Sequence, residues 1–269
     1  MGSSLDSYLR DLSYSFYLKK SSTEISKIET SKANLLSNLD NELGTKIKRR
    51  FVFGSYDRDT ILPRSIDQRS DIDLMVIFNH TDYERTPATY RNWLKDFGDK
   101  YYKNRYGSEV IKSFPTVTIR LGNIHFDLVP AKEESLMFHS SIYIPDQMYG
   151  WQITDPSDVK DRLTAANTRY NSIVKPIIRL FKAWNSTNGY PFDSYKLELK
   201  LLSNSYYGDN VERGFFRAVN QLQSEWSDSQ FRKEKIVSLK YNIVKVKENL
   251  DNYNTLNAKQ WLHRVLPYG

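Results

Sequence analysis

The stretch Ser70-Asp71-Ile72-Asp73-Leu74-Met75-Val76-Ile77-Phe78 places two acidic residues at the start of an apolar run. A run of this length and composition predicts a buried β-strand. Because side chains alternate along a strand, Asp71 and Asp73 share one face while Ile72 and Leu74 point to the other. Two like charges side by side repel each other unless cations neutralise them. The pair therefore indicates a site for a hard cation such as Mg²⁺.

A third carboxylate lies in the hairpin that we predict for residues 116–129. Thr116 to Leu121 and Ile124 to Val129 read as two strands around Gly122-Asn123. Asp127 interrupts the apolar side chains of the second strand, so it faces away from them. A single aspartate at a strand end is usually a loop cap, but three in neighbouring strands predict a carboxylate cluster.

A short strand that ends in Gly54-Ser55 precedes the paired aspartates. Arg50-Phe51-Val52-Phe53 has strand composition, and Gly54 and Ser55 stop it. Glycine allows a backbone to approach a ligand closely, and serine offers a hydroxyl and an N–H group to phosphate oxygens. The pair alone carries little information, but its position before the two aspartates favours a nucleotide phosphate site.

The rest of the chain predicts an α/β lobe over residues 1–150 and a helical lobe over residues 151–269. A long amphipathic helix follows the capping box Ser21-Ser22-Thr23-Glu24, and residues 87–105 also have a helical pattern. Residues 130–150 look irregular. From Asp155-Pro156, an N-cap with proline at the first helical position, the chain is mostly helical.

One helix of the predicted helical lobe carries a row of cations. Lys175, Arg179 and Lys182 are spaced at i, i+4 and i+7, opposite an apolar stripe that includes Ile177. The spacing predicts a cationic ridge, and Pro176 predicts a kink in the same helix.

Composition excludes several classes of site. The 269 residues include 39 Lys+Arg and 32 Asp+Glu, a net charge of +7, which fits either a solvated surface or an anionic partner. The absence of cysteine excludes disulfides, thiolate zinc sites and cysteine nucleophiles. The four histidines share no ligand spacing. With no long apolar run and no basic leader pattern, we expect a cytoplasmic protein without membrane association.

Several motifs together resemble a known superfamily. Phe53-Gly54-Ser55, Ser70 to Leu74 and His125 to Ala131 resemble the polymerase-beta-like nucleotidyltransferases. In the helical half, Trp151 to Pro156, Arg179 to Asn185 and Pro191 to Glu198 are similar to the bacterial relatives of cyclic GMP-AMP synthase. These relatives are the cGAS/DncV-like nucleotidyltransferases, or CD-NTases, of anti-phage signalling operons.

This resemblance implies a fold and a metal-dependent site. The expected fold is α/β + α, with a mixed-sheet nucleotidyltransferase lobe and a long N-terminal helix packed against a helical lobe, and the active site in the cleft between. Asp71 and Asp73 would bridge two Mg²⁺ ions, with Mn²⁺ as an alternative, and Asp127 would bind one of them. Gly54 and Ser55 would cradle the donor phosphates.

The resemblance also assigns roles in the helical lobe. Lys182 and Ser194 match the family's triphosphate contacts, and Tyr195 matches an aromatic residue that stacks on a base. Nucleoside triphosphates are the implied substrates.

The implied function is synthesis of a cyclic di- or trinucleotide second messenger with release of pyrophosphate, in anti-phage defence. We expect a monomeric or weakly self-associating enzyme whose product, rather than the enzyme itself, binds an effector protein. We expect no obligatory nucleic acid, and any regulation to come from a protein partner.

Two alternatives remain open from the sequence. One is a template-independent nucleotidyltransferase that modifies RNA or protein, against which the motifs at Trp151 to Pro156 and Ser194 to Glu198 argue. The other is a non-catalytic nucleic-acid-binding module, motivated by the net charge of +7. Three clustered carboxylates argue against the second alternative, because they would repel phosphates.

Overall fold

The computed structural model describes residues 2–20, 22–81, 83–136, 139–148 and 150–269. The chain folds into two compact units, and neither is continuous in sequence. The first, which we call the sheet unit, contains Ser21–Asp59 and Arg69–Lys160. The second, the helical unit, contains Met1–Lys20, Thr60–Gln68 and Asp161–Gly269.

The sheet unit is built on a mixed β-sheet. Its strands within the described residues are β1 (Ile47–Phe53), β2 (Asp71–Phe78), β3 (Glu109–Ser113), β4 (Thr116–Arg120), β5 (His125–Leu136), β6 (His139–Pro145) and β7 (Trp151–Thr154). The order is β1-β2-β5-β4-β3, with β6 paired to β5 and β7 paired to β6. Only the β2–β5 pair among these is parallel. The predicted mixed sheet and the β4–β5 hairpin are confirmed.

Helices cover the sheet. Those of the sheet unit are α2 (Ser22–Leu43), α3 (Gly54–Asp57), α4 (Pro87–Gly98) and α5 (Asn104–Tyr106). The Thr86 side chain caps α4 by accepting a hydrogen bond from the Thr89 N–H group. α4 packs on the sheet through Tyr90, whose ring stacks on Phe78 with centroids 4.4 Å apart. The long helix α2 is confirmed, while Ser21 of its predicted capping box lies outside the described residues.

The helical unit consists of helices around an apolar core. They are α1 (Asp6–Ser15), most of α6 (Asp158–Arg169), α7 (Val174–Thr187), α8 (Ser194–Leu202), α9 (Val211–Gln221), α10 (Gln230–Asp251) and α11 (Thr255–Leu262). α1 contacts α7 and α9, and α10 pairs with α11. Asp155 accepts hydrogen bonds from the N–H groups of Ser157 and Asp158 at the start of α6, whereas Pro156 lies two residues before the first helical residue rather than at it. Within the described ranges, no helix is long and apolar enough to cross a bilayer.

The unit boundaries differ from the predicted division at residue 150. Residues 1–20 belong to the helical unit, where the Arg179 side chain donates a hydrogen bond of 2.9 Å to the Ser13 carbonyl. Residues 60–68 join the same unit, where the Thr60 hydroxyl donates to the buried Glu198 carboxylate at 3.1 Å. These long-range contacts between polar groups leave no periodic signal in the sequence.

Residues 130–150 are not irregular, contrary to the prediction. β5 continues to Leu136 and pairs with β6. The apolar alternation fails there because Lys132 and Glu133 are both buried. Lys132 forms ion pairs with Glu84 and Glu134. Glu133 forms ion pairs with Lys48 and Arg49 of β1. Paired charged residues can occupy buried strand positions that apolar residues usually fill. Such a strand lacks the apolar alternation from which strands are predicted.

The expected effect of Pro176 is also corrected. α7 begins at Val174, so Pro176 lies in its first turn. Amide groups in the first turn have no partner within the helix, and a proline there removes nothing.

Candidate active site

The strand register brings the three predicted carboxylates to neighbouring positions. Asp73 of β2 pairs with Asp127 of β5, and Asp71 pairs with His125. Paired residues on adjacent strands share a face, so Asp71, Asp73 and Asp127 lie on one side of the sheet. Ile72 and Leu74 are buried on the other side, as alternation predicts. The cluster therefore arises from two strand starts in parallel register.

The carboxylates lie beside a small apolar cluster on the same face. Further along β2 and β5, this face carries Met75, Ile77, Val129 and Ala131, all buried and packed against partly buried side chains such as Phe53. Asp71 and Asp73 are only partly buried. The sheet thus changes from apolar to acidic at the ends where β2 and β5 begin.

Gly54 is held directly against Asp73. β1 ends at Phe53, which pairs with Asp73, and the chain then turns into α3. Gly54 has φ of +72°, a left-handed conformation that side chains disfavour. A Cβ atom at this position would lie 2.7 Å from Cγ of Asp73. Glycine is required here, and Ser55 follows it as a partly exposed residue of α3.

Asp127 is oriented by a threonine of the neighbouring strand. Thr118 of β4 pairs with Asp127, and its hydroxyl donates a hydrogen bond of 2.5 Å to Oδ1 of Asp127. Burial raises the pKa of Asp127, while the Thr118 hydrogen bond and the Arg120 charge act in the opposite direction. The Asp127 carboxylate is therefore held by a neutral hydroxyl donor in a buried environment that disfavours its ionised form.

The donor set of this cluster suits a hard divalent cation. Carboxylate oxygens are the ligands that Mg²⁺ prefers, and one of the three carries a raised pKa that a cation would reverse. In the ranges that the structure describes, no group of three such side chains is arranged to hold a metal ion. The backbone register brings the three carboxylates to neighbouring positions, and the Thr118 hydroxyl holds that of Asp127 in place.

Lys182 of the helical unit lies in a setting that differs from the predicted ridge. Its side chain is 6% exposed, and Arg179 one turn before it is also buried. The Arg179 guanidinium lies 4.9 Å from the centre of the Tyr17 ring. Ser13 and Tyr17 of the N-terminal segment contact Arg179, and both cations are buried, so the predicted cationic ridge is not exposed at these two positions. Lys182 as a triphosphate contact stays a prediction.

Ser194 and Tyr195 begin α8. Asp193 caps this helix by accepting a hydrogen bond of 2.8 Å from the Lys196 N–H group. Ser194 is partly buried, and Tyr195 is 49% exposed rather than a core residue. Stacking of the Tyr195 ring on a base stays a prediction.

Two residues that position these candidates were missed. Asn185, fully buried at the end of α7, bonds both the N–H group and the carbonyl of Phe192 at 2.9 Å and so fixes the approach to α8. Thr118 orients Asp127. Asn185 stands in a motif that carried the resemblance, and alternation along β4 places Thr118 on the acidic face, so both signals were present in the sequence.

Comparisons with known proteins identify relatives of this chain among nucleotide synthases. The model of the SMODS family, the Second Messenger Oligonucleotide or Dinucleotide Synthetase domain, matches residues 4–167. A cyclic AMP-AMP-AMP synthase of Acinetobacter sp. is 25% identical over 198 residues, which are 69% of this chain and 54% of that protein. The chain thus spans about half the length of this curated relative.

Solved structures share the fold. The Bradyrhizobium diazoefficiens CD-NTase CdnG, in complex with GTP, has a TM-score of 0.68 at 11% identity, covering 97% of this chain and 98% of that one. The CdnC:HORMA-deltaN complex of E. coli MS115-1 has a TM-score of 0.60 at 16% identity, covering 90% and 91%. With a family model that matches more than half of its length, and with the mixed sheet of that fold, the chain belongs to the SMODS family of CD-NTases.

Proposed function

We propose that this protein joins nucleoside triphosphates into a cyclic di- or trinucleotide second messenger and releases pyrophosphate. The observation that carries the proposal is the register of β2 and β5, which places Asp73 beside Asp127 and Asp71 two residues away on the same face. Membership of a family of oligonucleotide and dinucleotide synthetases supports the same reaction.

The reaction forms one phosphodiester bond in each step. A ribose hydroxyl oxygen of one nucleotide attacks the α-phosphorus of another, the bond from that phosphorus to the β-phosphate bridging oxygen breaks, and the hydroxyl proton passes to solvent. Bound Mg²⁺ would lower the pKa of the hydroxyl and stabilise the charge of the triphosphate. Asp71 and Asp73 would hold both ions, and Asp127 would hold the ion nearer to the hydroxyl.

Other residues of the chain would bind the substrates. Gly54 brings the backbone beside Asp73 without a side chain, which leaves room for donor phosphates near the carboxylates. Ser55 would offer its hydroxyl and N–H group to them. In the helical unit, Lys182 and Ser194 would contact the triphosphate, and Tyr195 would stack on a base.

The product would act as a signal in anti-phage defence by binding a separate effector protein. The CdnC structure is that of a complex with HORMA-deltaN, which supports a protein partner as a regulator of this chain. We place the reaction in the cytoplasm, where nucleoside triphosphates are made.

The test compares the wild-type protein with the double variant Asp71→Asn, Asp73→Asn. Both are incubated with nucleoside triphosphates and Mg²⁺, and pyrophosphate release is followed. The variant is expected to lose turnover while its melting temperature in metal-free buffer is unchanged or slightly raised, because repulsion between carboxylates is removed. Turnover near the wild-type level in a folded variant would refute the metal assignment.

A further inference from the structure

Helix α10 is apolar on two faces, and the chain covers only one of them within the described residues. Its inward face is buried at Ile236, Leu239, Ile243, Val246 and Leu250. On the opposite side Val237, Tyr241 and Val244 are 67%, 54% and 48% exposed. We call these three residues the outer seam. Exposed apolar residues that adjoin one another on a helix are typical of an interaction surface.

The outer seam has the spacing of a helix-packing surface. Its members follow each other by four and then three residues, the alternation of a heptad seam in which Val237 and Val244 take position d and Tyr241 takes position a. A cavity of about 380 Å³ lies along it, and its lining residues are Gln230, Lys233, Glu234, Val237, Ser238 and Tyr241. The Tyr241 ring also contacts Trp261 of α11 edge to face at 6.1 Å, which holds it in place.

A row of lysines runs beside the outer seam. Lys233, Lys240 and Lys247 recur every seven residues at position g, and we call them the lysine row. The Lys233 ammonium donates to the Trp226 carbonyl at 2.9 Å, and that of Lys247 lies 5.3 Å from the centre of the Phe216 ring. Both of these partners are neutral, so these two contacts leave the ammonium charges in place. Among the described residues, Glu234 is the one acidic residue in the lining of the cavity beside Lys233.

These charges argue against a second copy as the occupant. In an antiparallel pair the two lysine rows would face each other. In a parallel pair Lys240 at position g would face position e of the other copy, which is Lys245. The antiparallel arrangement brings like charges together at the edge of the seam. In the parallel one Lys240 meets a lysine that is already paired with Glu248 at 2.7 Å, so neither arrangement gives the lysine row an acidic partner. A nucleic acid would match the lysine row but would gain nothing from two valines and a tyrosine.

We propose that the outer seam and the lysine row bind an amphipathic helix of a different protein. The partner helix presents apolar residues at heptad spacing and acidic residues along the flank that meets the lysine row. The surface consists of residues outside the candidate active site, so the proposal stands apart from the proposed reaction. Apolar contact provides affinity, and the lysine row selects the acidic partner.

The probe is a pair of stapled helical peptides that share a leucine heptad seam. One carries Glu and the other Lys at every flanking position, and binding to the full chain is measured by fluorescence anisotropy. We expect the Glu peptide to bind at least about tenfold more tightly than the Lys peptide. Val237→Ser with Val244→Ser should weaken the Glu peptide about tenfold. Lys240→Glu should weaken binding of the Glu peptide several-fold and strengthen binding of the Lys peptide.

Lys235→Glu is the matched control. Lys235 belongs to the same helix but lies over the Phe231 ring, away from the outer seam, so its reversal should leave peptide binding unchanged. Because Val237 and Val244 are exposed, the serine variant should keep the wild-type unfolding midpoint.

Three results would overturn the proposal. Equal binding of the Glu and Lys peptides, or no binding of either, would remove the acidic helix as the occupant. A dimer of the full chain in sedimentation that is lost on Val237→Ser with Val244→Ser would assign the seam to a second copy. If a labelled RNA duplex binds through the lysine row, and its binding is unchanged by Val237→Ser with Val244→Ser, the row would be assigned to nucleic acid.

Discussion

At the scale of single residues, the site depends on Thr118, whose hydroxyl holds the Asp127 carboxylate, and on Gly54, which lies against the Asp73 carboxylate. Asp71 and Asp73 follow from strand alternation and could be predicted from sequence alone. The contact of the Thr118 hydroxyl with Asp127 was missed, although the predicted hairpin around Gly122-Asn123 sets the register that pairs the two residues. Local patterns state which face a side chain takes, whereas register decides which side chain it meets.

Thr118→Val should raise the Mg²⁺ concentration that half-saturates activity by roughly tenfold, because a hydrogen bond to a charged group contributes about 1.5 to 3 kcal/mol. Thr118→Ser keeps the hydroxyl and should restore the wild-type value. Direct Mn²⁺ binding by electron paramagnetic resonance should show the same order of affinities. If valine and serine variants behave alike, the hydroxyl does not orient Asp127.

Gly54→Ala should abolish most activity while the protein still folds. The added Cβ would press on the Asp73 carboxylate, and the left-handed backbone adds strain of about 1 kcal/mol. Gly44→Ala is the control, since a Cβ there meets nothing within 4 Å. Steady-state turnover and thermal melting of both variants decide the matter. An active Gly54→Ala protein would show that the contact with Asp73 is unimportant.

At the scale of elements, charge pairs hold the far half of β5 in the sheet. The Arg49 side chain donates to Glu133 at 2.6 and 3.3 Å, and Lys48 lies 3.0 Å away. Sequence analysis found β1, β2, β4 and the first half of β5, where apolar residues alternate or run together. It missed the continuation, because there the buried residues are ions whose partners lie on other strands.

The Glu133 pair makes stability depend on pH in the acid range. Arg49 lowers the pKa of Glu133 from 4.5 to about 2. The folded state therefore favours the ionised form, and this stabilisation is complete above about pH 4.5 and disappears as the pH falls toward 2. Glu133→Gln should lower the free energy of unfolding at pH 7 by on the order of 1 kcal/mol, a small value because both cations are nearly half exposed.

Urea unfolding between pH 2 and 7 measures this effect. The wild type should lose stability more steeply than Glu133→Gln below pH 4.5. Asp40→Asn, which removes an exposed partner of Arg50, serves as a control and should change little. Parallel pH profiles for the wild type and Glu133→Gln would show that the pair contributes nothing.

At the scale of the whole molecule, the chain combines a sheet unit that carries carboxylates with a helical unit that carries the predicted triphosphate contacts. The resemblance predicted the fold class, which is confirmed. It could not give the unit boundaries, because the N-terminal helix α1 and residues 60–68 join the helical unit through buried hydrogen bonds at long sequence separation.

Lys182→Ala tests the contribution of the helical unit. A point charge on the triphosphate acts about equally before and in the transition state, so KM for nucleotide should rise while kcat changes less. Lys175→Ala, seven residues earlier on α7, is the control. Because Lys182 is buried, melting of each variant is measured as well. A collapse of kcat at unchanged KM, in a folded variant, would contradict the triphosphate assignment.

The most direct test of the central claim is the chemical identity of the product. Protein treated exhaustively with nuclease is incubated with the four labelled nucleoside triphosphates and Mg²⁺, then with phosphatase, and the products are analysed by mass spectrometry. The account predicts a phosphatase-resistant cyclic di- or trinucleotide without added nucleic acid, absent with Asp71→Asn, Asp73→Asn. Products that form only on added RNA or protein, or no product from a folded and metal-supplied wild type, would contradict it.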